Sequence, residues 1–123
     1  MDNKPTLLYV DDEPINLQLF AINFKNKFEV ITCDSPYEGL TILKSNSKIG
    51  IVISDMKMPG MNGIQFIRMA RNEFPNLTFF ILTGFEITDE IAEAMQEGII
   101  SSYFRKPFNL NEVETSINRA TTK

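Results

Sequence analysis

Short apolar runs alternate with amphipathic stretches along the whole chain, and that alternation restricts the fold more than any other feature. The runs fall at residues 7–10, 30–33, 51–54, 79–83 and 103–104. Between them, apolar residues recur at helical spacing. Ile15, Leu19 and Ile22 stand at i, i+4 and i+7, with Phe20 and Phe24 widening the stripe, so the spacing predicts a first helix that buries this face. Pro14 suits its first turn, where a missing N–H is no loss. Ser35, Pro36 and Glu38 predict the start of a second helix with a capping box. A third is predicted from near Asn62 to Glu73, burying Ile64, Ile67, Phe66 and Ala70, and stopped by Pro75. The fourth begins after Thr88 and ends at Gly98, a natural left-handed cap. The fifth takes Asn109 as its cap, with Glu112 three residues on, and buries Leu110, Val113 and Ile117.

Five β–α units in succession call for an α/β fold, a parallel sheet covered by helices on both faces. The runs at 7–10, 51–53 and 79–82 are continuously apolar, as central strands should be. The run at 30–33 is shorter and follows a charged stretch, which suits an edge. At 123 residues the chain fits one core, which commonly serves about 100 to 150 residues, and 43% hydrophobic residues can fill it. Residues 1–123 read as one domain.

Composition excludes several functions. A net charge of −4 opposes a large phosphate-binding surface and hence direct nucleic-acid binding. No apolar run approaches the roughly 20 residues that span a bilayer, and the start of the chain has no signal-peptide core; a cytoplasmic protein without membrane contact is expected. The single Cys33 lies in an apolar run and reads as a small hydrophobe. There is no His, so any chemistry falls to carboxylates, hydroxyls, Lys or a hard metal ion.

In an open parallel α/β sheet, sites form at the carboxyl ends of the strands. Those ends carry Asp11 and Asp12 after the first run, Asp55 after the third, Thr83 at the fourth and Lys106 after the fifth. Two carboxylates about 4 Å apart repel by about 4 kcal/mol at an effective dielectric near 20. Three carboxylates with one Lys therefore call for a divalent cation with oxygen ligands, and Mg²⁺ suits a site beside phosphates. A carboxylate there, faced by Lys and Thr donors, suits phosphoryl transfer. Asp11 and Asp12 are adjacent and can share the metal; Asp55 stands alone and is the expected nucleophile.

These residues resemble the receiver domain of two-component response regulators, of the kind typified by chemotaxis regulators. Asp11-Asp12-Glu13 is similar to that family's acidic pair. The segment Asp55-Met56-Lys57-Met58-Pro59-Gly60-Met61-Asn62-Gly63 resembles its D-x-x-M-P-x-M-x-G phosphoacceptor segment. Thr83-Gly84 and Lys106-Pro107-Phe108 resemble its two other signatures. The resemblance covers about residues 6 to 120. It implies a flavodoxin-like fold with strand order 2-1-3-4-5 and five flanking helices. Asp55 would be the phosphoacceptor, Asp12 a direct Mg²⁺ ligand, Asp11 a ligand through water, and the Lys57 carbonyl a further ligand, with Asp55 completing the metal set. Thr83 would bond the phosphoryl group, Lys106 would pair with one of its oxygens, and Tyr103 would be the aromatic that turns inward with Thr83. The implied role is a phosphorelay switch rather than an enzyme, assisting only its own phosphorylation and dephosphorylation. A histidine kinase or histidine phosphotransfer protein would donate the group. The downstream output, and whether phosphorylation drives homodimerisation, stay open.

Blander readings compete. Thr83 alone is an ordinary strand-end hydroxyl, Lys106 before Pro107 a loop charge, and Tyr103 a core aromatic. Met56, Met58 and Met61 read as packing and turn residues, and Asp89, Glu90, Glu93 and Glu97 as a solvated helix face. A haloacid-dehalogenase-like phosphatase needs a second Asp where Lys57 stands. A flavin-mononucleotide carrier would have its phosphate repelled by residues 11–13. A dinucleotide-binding domain lacks its G-x-G-x-x-G. A degenerate receiver that serves as a non-phosphorylated scaffold is the remaining alternative. The resemblance also places Lys57 and Phe85 beside the path of hydrolytic water, which implies a long-lived phosphoprotein. A Lys57→Asn, Phe85→Glu variant should lose phosphate faster than the parent in a decay assay; equal or slower loss rejects that expectation.

Overall fold

The computed structural model describes residues 4–84 and 87–121. The elements run β1 (Thr6–Val10), α1 (Pro14–Phe24), β2 (Glu29–Cys33), α2 (Pro36–Ser45), β3 (Ile49–Asp55), α3 (Gly63–Glu73), β4 (Thr78–Thr83), α4 (Asp89–Gln96), β5 (Ser102–Arg105) and α5 (Leu110–Thr121). All strand pairs are parallel, in the order β2-β1-β3-β4-β5. The expected flavodoxin-like α/β architecture is therefore present, with the 30–33 segment at an edge.

Period-two alternation splits the strands between two cores. Leu8, Val10, Val52, Phe79 and Ile81 meet Leu43 of α2, Ile64, Phe66, Ile67 and Ala70 of α3, and Ile91 and Ala94 of α4. Leu7, Tyr9, Ile51, Ile53, Phe80, Leu82 and Phe104 meet Phe20 and Phe24 of α1 and Val113 and Ile117 of α5. Three helices thus cover one face and two the other. Met56 and Met58 join the first core and Met61 packs against it, which matches their reading as packing residues.

The helix starts are set by local chemistry. The Ser35 hydroxyl accepts the Glu38 amide, Thr88 caps α4 through Ile91 N, and Asn109 accepts the Glu112 amide. The reciprocal capping box expected at α2 occurs instead at α3, where Asn62 and Gln65 exchange side-chain bonds. Gly98 ends the α4 segment with φ 75°, the left-handed conformation that Gly adopts without strain.

Two expected core assignments are overturned. Ile15, Leu19 and Ile22 are 69%, 50% and 63% exposed, whereas Phe20 and Phe24 are buried. The helix is apolar nearly all round, so spacing alone does not choose its face; the rings do. Phe20 stacks on Tyr9 with centroids 4.2 Å apart, and Phe24 packs on Phe20 and Phe28. Turning the aromatics inward leaves the aliphatic stripe in water. Leu110 is likewise 45% exposed. It sits at the first turn of α5, beside a hollow of about 550 Å³ shared with Leu19 and Phe108, while Val113 and Ile117 do reach the core.

On α4, Asp89, Glu93 and Glu97 are exposed, in line with a solvated face. Glu97 reaches Arg68 at 3.0 Å, and Glu90 accepts from Asn62 at 3.0 Å. Among the described residues, no helix is long and apolar enough to cross a membrane.

Gly63 shows how tightly α3 is seated. A Cβ there would lie 2.4 Å from the Asp55 carbonyl oxygen and 2.7 Å from Ile81 Cδ1. Gly50, at the start of β3, has open space around the same position. Gly63→Ala should lower the unfolding free energy by about 1–3 kcal/mol in urea titration, as overpacking does. Gly50→Ala should change it by less than about 1 kcal/mol and toward stability. Equal effects at the two positions would contradict this packing.

Candidate functional site

The sheet register delivers the charged residues to one rim. Val10 pairs with Ser54, so Asp11 leaves β1 level with Asp55, the last residue of β3. Asp55 pairs with Leu82, which puts Thr83 one step further out on β4. Thr83 pairs with Arg105, and the Lys106 amide then donates to the Thr83 carbonyl at 2.8 Å. The Met56 amide donates to Leu82 O and the Gly63 amide to Met56 O at 2.8 Å, which folds the segment after Asp55 back against the sheet.

Carboxylate oxygens of Asp11, Asp12 and Asp55 all lie within 4.8 Å of one another. Asp11 is fully buried and Asp55 nearly so. Lys106 Nζ lies 2.9 Å from Asp55 Oδ1 and 3.5 Å from Asp11 Oδ2. A cleft of about 600 Å³ opens over the group, walled by Asp12, Glu13, Asp55, Lys57, Met58, Pro59, Thr83, Gly84 and Lys106. Thr83 is buried at its edge. The structure thus brings together Asp11, Asp12, Asp55, Lys57, Thr83 and Lys106. Tyr103 stands apart: opposite Ile81, on the strand behind the rim, it is half-buried against the core under α4. Phe85 lies outside the described residues.

The titration behaviour of the two central groups points the same way. Burial raises the Asp55 pKa above the usual carboxylate value; the Lys106 hydrogen bond opposes this, and repulsion from Asp11 and Asp12 adds to it. Partial burial opposes the Lys106 charge, but Asp55 and Asp11 outweigh it and raise that pKa as well. Both groups hold their protons more tightly than usual, Asp55 chiefly because burial disfavours its charged form and Lys106 because the carboxylates beside it outweigh its own burial. The donors are carboxylate oxygens, with no sulfur or imidazole among them, a set that fits a hard divalent cation such as Mg²⁺. Cys33 has no part in this: burial pushes its thiol up to about 12, which leaves it an unreactive core residue.

Two neighbours escaped the sequence reading. The Glu13 amide donates to Asp11 Oδ1 at 3.0 Å, and the Tyr9 hydroxyl to Asp11 Oδ2 at 2.6 Å. The signal for Tyr9 was present: a hydroxyl two residues before Asp11 shares its side of the strand.

Known proteins resemble this chain in sequence and fold. The family described as the response regulator receiver domain matches residues 7–118. The transcriptional regulatory protein GlrR of Escherichia coli is 32% identical over 98% of this chain, which covers 27% of that protein. Sporulation initiation phosphotransferase F of Bacillus subtilis is 25% identical over 97% of this chain and 94% of its own length. The chain spans about a quarter of the length of the transcriptional regulators it matches. Among solved structures, a response regulator receiver domain protein from Clostridium thermocellum superposes with a TM-score of 0.87 at 36% identity, covering 94% of this chain and 92% of that one. With that coverage, that fold and an acidic trio at the carboxyl rim of its parallel sheet, the chain belongs to the response regulator receiver domain family.

Proposed function

We propose that this receiver is a Mg²⁺-dependent switch of a two-component phosphorelay, phosphorylated on Asp55. The observation that carries this reading is the Lys106 ammonium 2.9 Å from Asp55 Oδ1, inside a trio of carboxylates open to a cleft. A nucleophile must be reachable and its product stabilised. Asp55 lines the cleft, and Lys106 and Thr83 line it as well.

In the proposed reaction an Asp55 carboxylate oxygen attacks the phosphorus of a phosphohistidine in line. The new P–O bond forms as the P–N bond breaks, and the imidazole leaves with the electron pair and takes up a proton. The donor is a histidine kinase or histidine phosphotransfer protein. Lys106 keeps its proton throughout and pairs with a phosphoryl oxygen, and the Thr83 hydroxyl bonds another. A divalent cation held by Asp12, by Asp11 through water, by Asp55 and by the Lys57 carbonyl would supply the remaining neutralisation of the phosphoryl oxygens. The phosphoryl group then draws Thr83 inward, and Tyr103 turns into the space that opens. That biases the surface from α4 to α5, which meets a downstream partner or a second copy. The relatives named as transcriptional regulators and as a phosphotransferase support this signalling role.

Incubation with Mg²⁺ and acetyl phosphate, followed by intact-mass analysis, should show one adduct of about 80 Da, a single phosphoryl group. Asp55→Asn should show none. An adduct on the Asn variant would refute Asp55 as the acceptor. A parent that gains no adduct would leave the domain a non-phosphorylated binding module.

A further inference from the structure

Tyr9 is a polar group in an otherwise aliphatic stretch, between Leu7, Leu8 and Val10. Its ring is buried and stacks on Phe20 with an interplanar angle of 16°. Its hydroxyl donates to Asp11 Oδ2 at 2.6 Å, within the short range of charge-assisted O–H···O⁻ bonds.

The same Oδ2 is approached by Lys106 Nζ at 3.5 Å, the outer limit of a hydrogen bond, while that ammonium sits 2.9 Å from Asp55 Oδ1. Asp11 Oδ1 is already taken by the Glu13 amide. Both donors reach one buried oxygen, the hydroxyl at 2.6 Å and the ammonium only at 3.5 Å, so the hydroxyl supplies the stronger of its two bonds. We propose that Tyr9 is a positioning residue: by satisfying Asp11 Oδ2 it leaves Lys106 committed to Asp55. The proposal rests on the reading of Asp55 as phosphoacceptor. Without the hydroxyl, that buried oxygen would lose its short bond and keep the long one to Lys106. A poorly satisfied buried acceptor is disfavoured. The Lys side chain is flexible enough to swing across, and Asp55 would lose its partner.

Tyr9→Phe keeps the ring and removes only the donor. In metal-free crystals of this variant, Lys106 Nζ should lie closer to Asp11 than to Asp55. Its phosphorylation rate with acetyl phosphate at saturating Mg²⁺ should fall about tenfold, a loss of about 1.4 kcal/mol in barrier terms. Added to Lys106→Met, the same change should cause no further loss, because the residue it acts through is gone. Three results would overturn the proposal. They are a Lys106 that stays on Asp55, a rate within about twofold of the parent, and an equal loss in the Lys106→Met background, which would mark a general structural role. If the parent itself takes up no phosphoryl group, the phosphoacceptor reading fails instead, and the crystal comparison still decides the role of Tyr9.

Discussion

The contact between Lys106 and Asp55 is the interaction on which the site depends, because it sets an ammonium directly against a cluster of three carboxylates. Three carboxylates crowd that single contact with negative charge. Burial sharpens the repulsion among them, since neither Asp11 nor Asp55 has water enough to spread its charge. The two upward shifts have different leading causes, burial at Asp55 and the neighbouring carboxylates at Lys106. For stability the sign is definite. A raised Asp55 pKa in the folded state means that the metal-free protein loses stability as pH rises through it. For Lys106, the stabilisation is present at neutral pH and is lost only in strongly alkaline solution.

The rest of the fold serves to hold that cluster in place. The parallel register sets Asp11 level with Asp55 and passes Thr83 and Lys106 to the same rim. The segment after Asp55 is pinned at its far end by Gly63, which has no room for a Cβ, and by the capping box of Asn62. Asn62 also bonds Glu90 on α4. One short segment therefore joins β3, the start of α3 and the helix beside the proposed output surface.

Much of this was legible in the sequence, for identifiable reasons. Parallel strands buried on both faces must read as apolar runs, so the alternation of residues 7–10, 51–53 and 79–82 with helical stretches exposed the topology. Caps such as Ser35, Thr88 and Asn109 act locally, within three residues, and so can be read locally. The strand-end rule gathered Asp11, Asp12, Asp55, Thr83 and Lys106 on one rim before any coordinates. The failures concern choices that only three-dimensional packing makes. The first helix is apolar nearly all round, and ring stacking on Tyr9 decided against Ile15, Leu19 and Ile22. Leu110 lies beyond the reach of the sheet, at the edge of a hollow. Tyr9 was passed over because its strand reads as apolar, although its hydroxyl meets the most buried carboxylate of the site.

The most direct measurement is the titration of the Asp55 side-chain carboxyl by carbon-13 NMR, in metal-free protein and again with saturating Mg²⁺. Burial of Asp55, reinforced by the carboxylates of Asp11 and Asp12, predicts a midpoint above the ordinary carboxylate value without metal and a clear fall when Mg²⁺ binds. A midpoint at or below the ordinary value, or one that ignores Mg²⁺, would contradict the electrostatic account of this site.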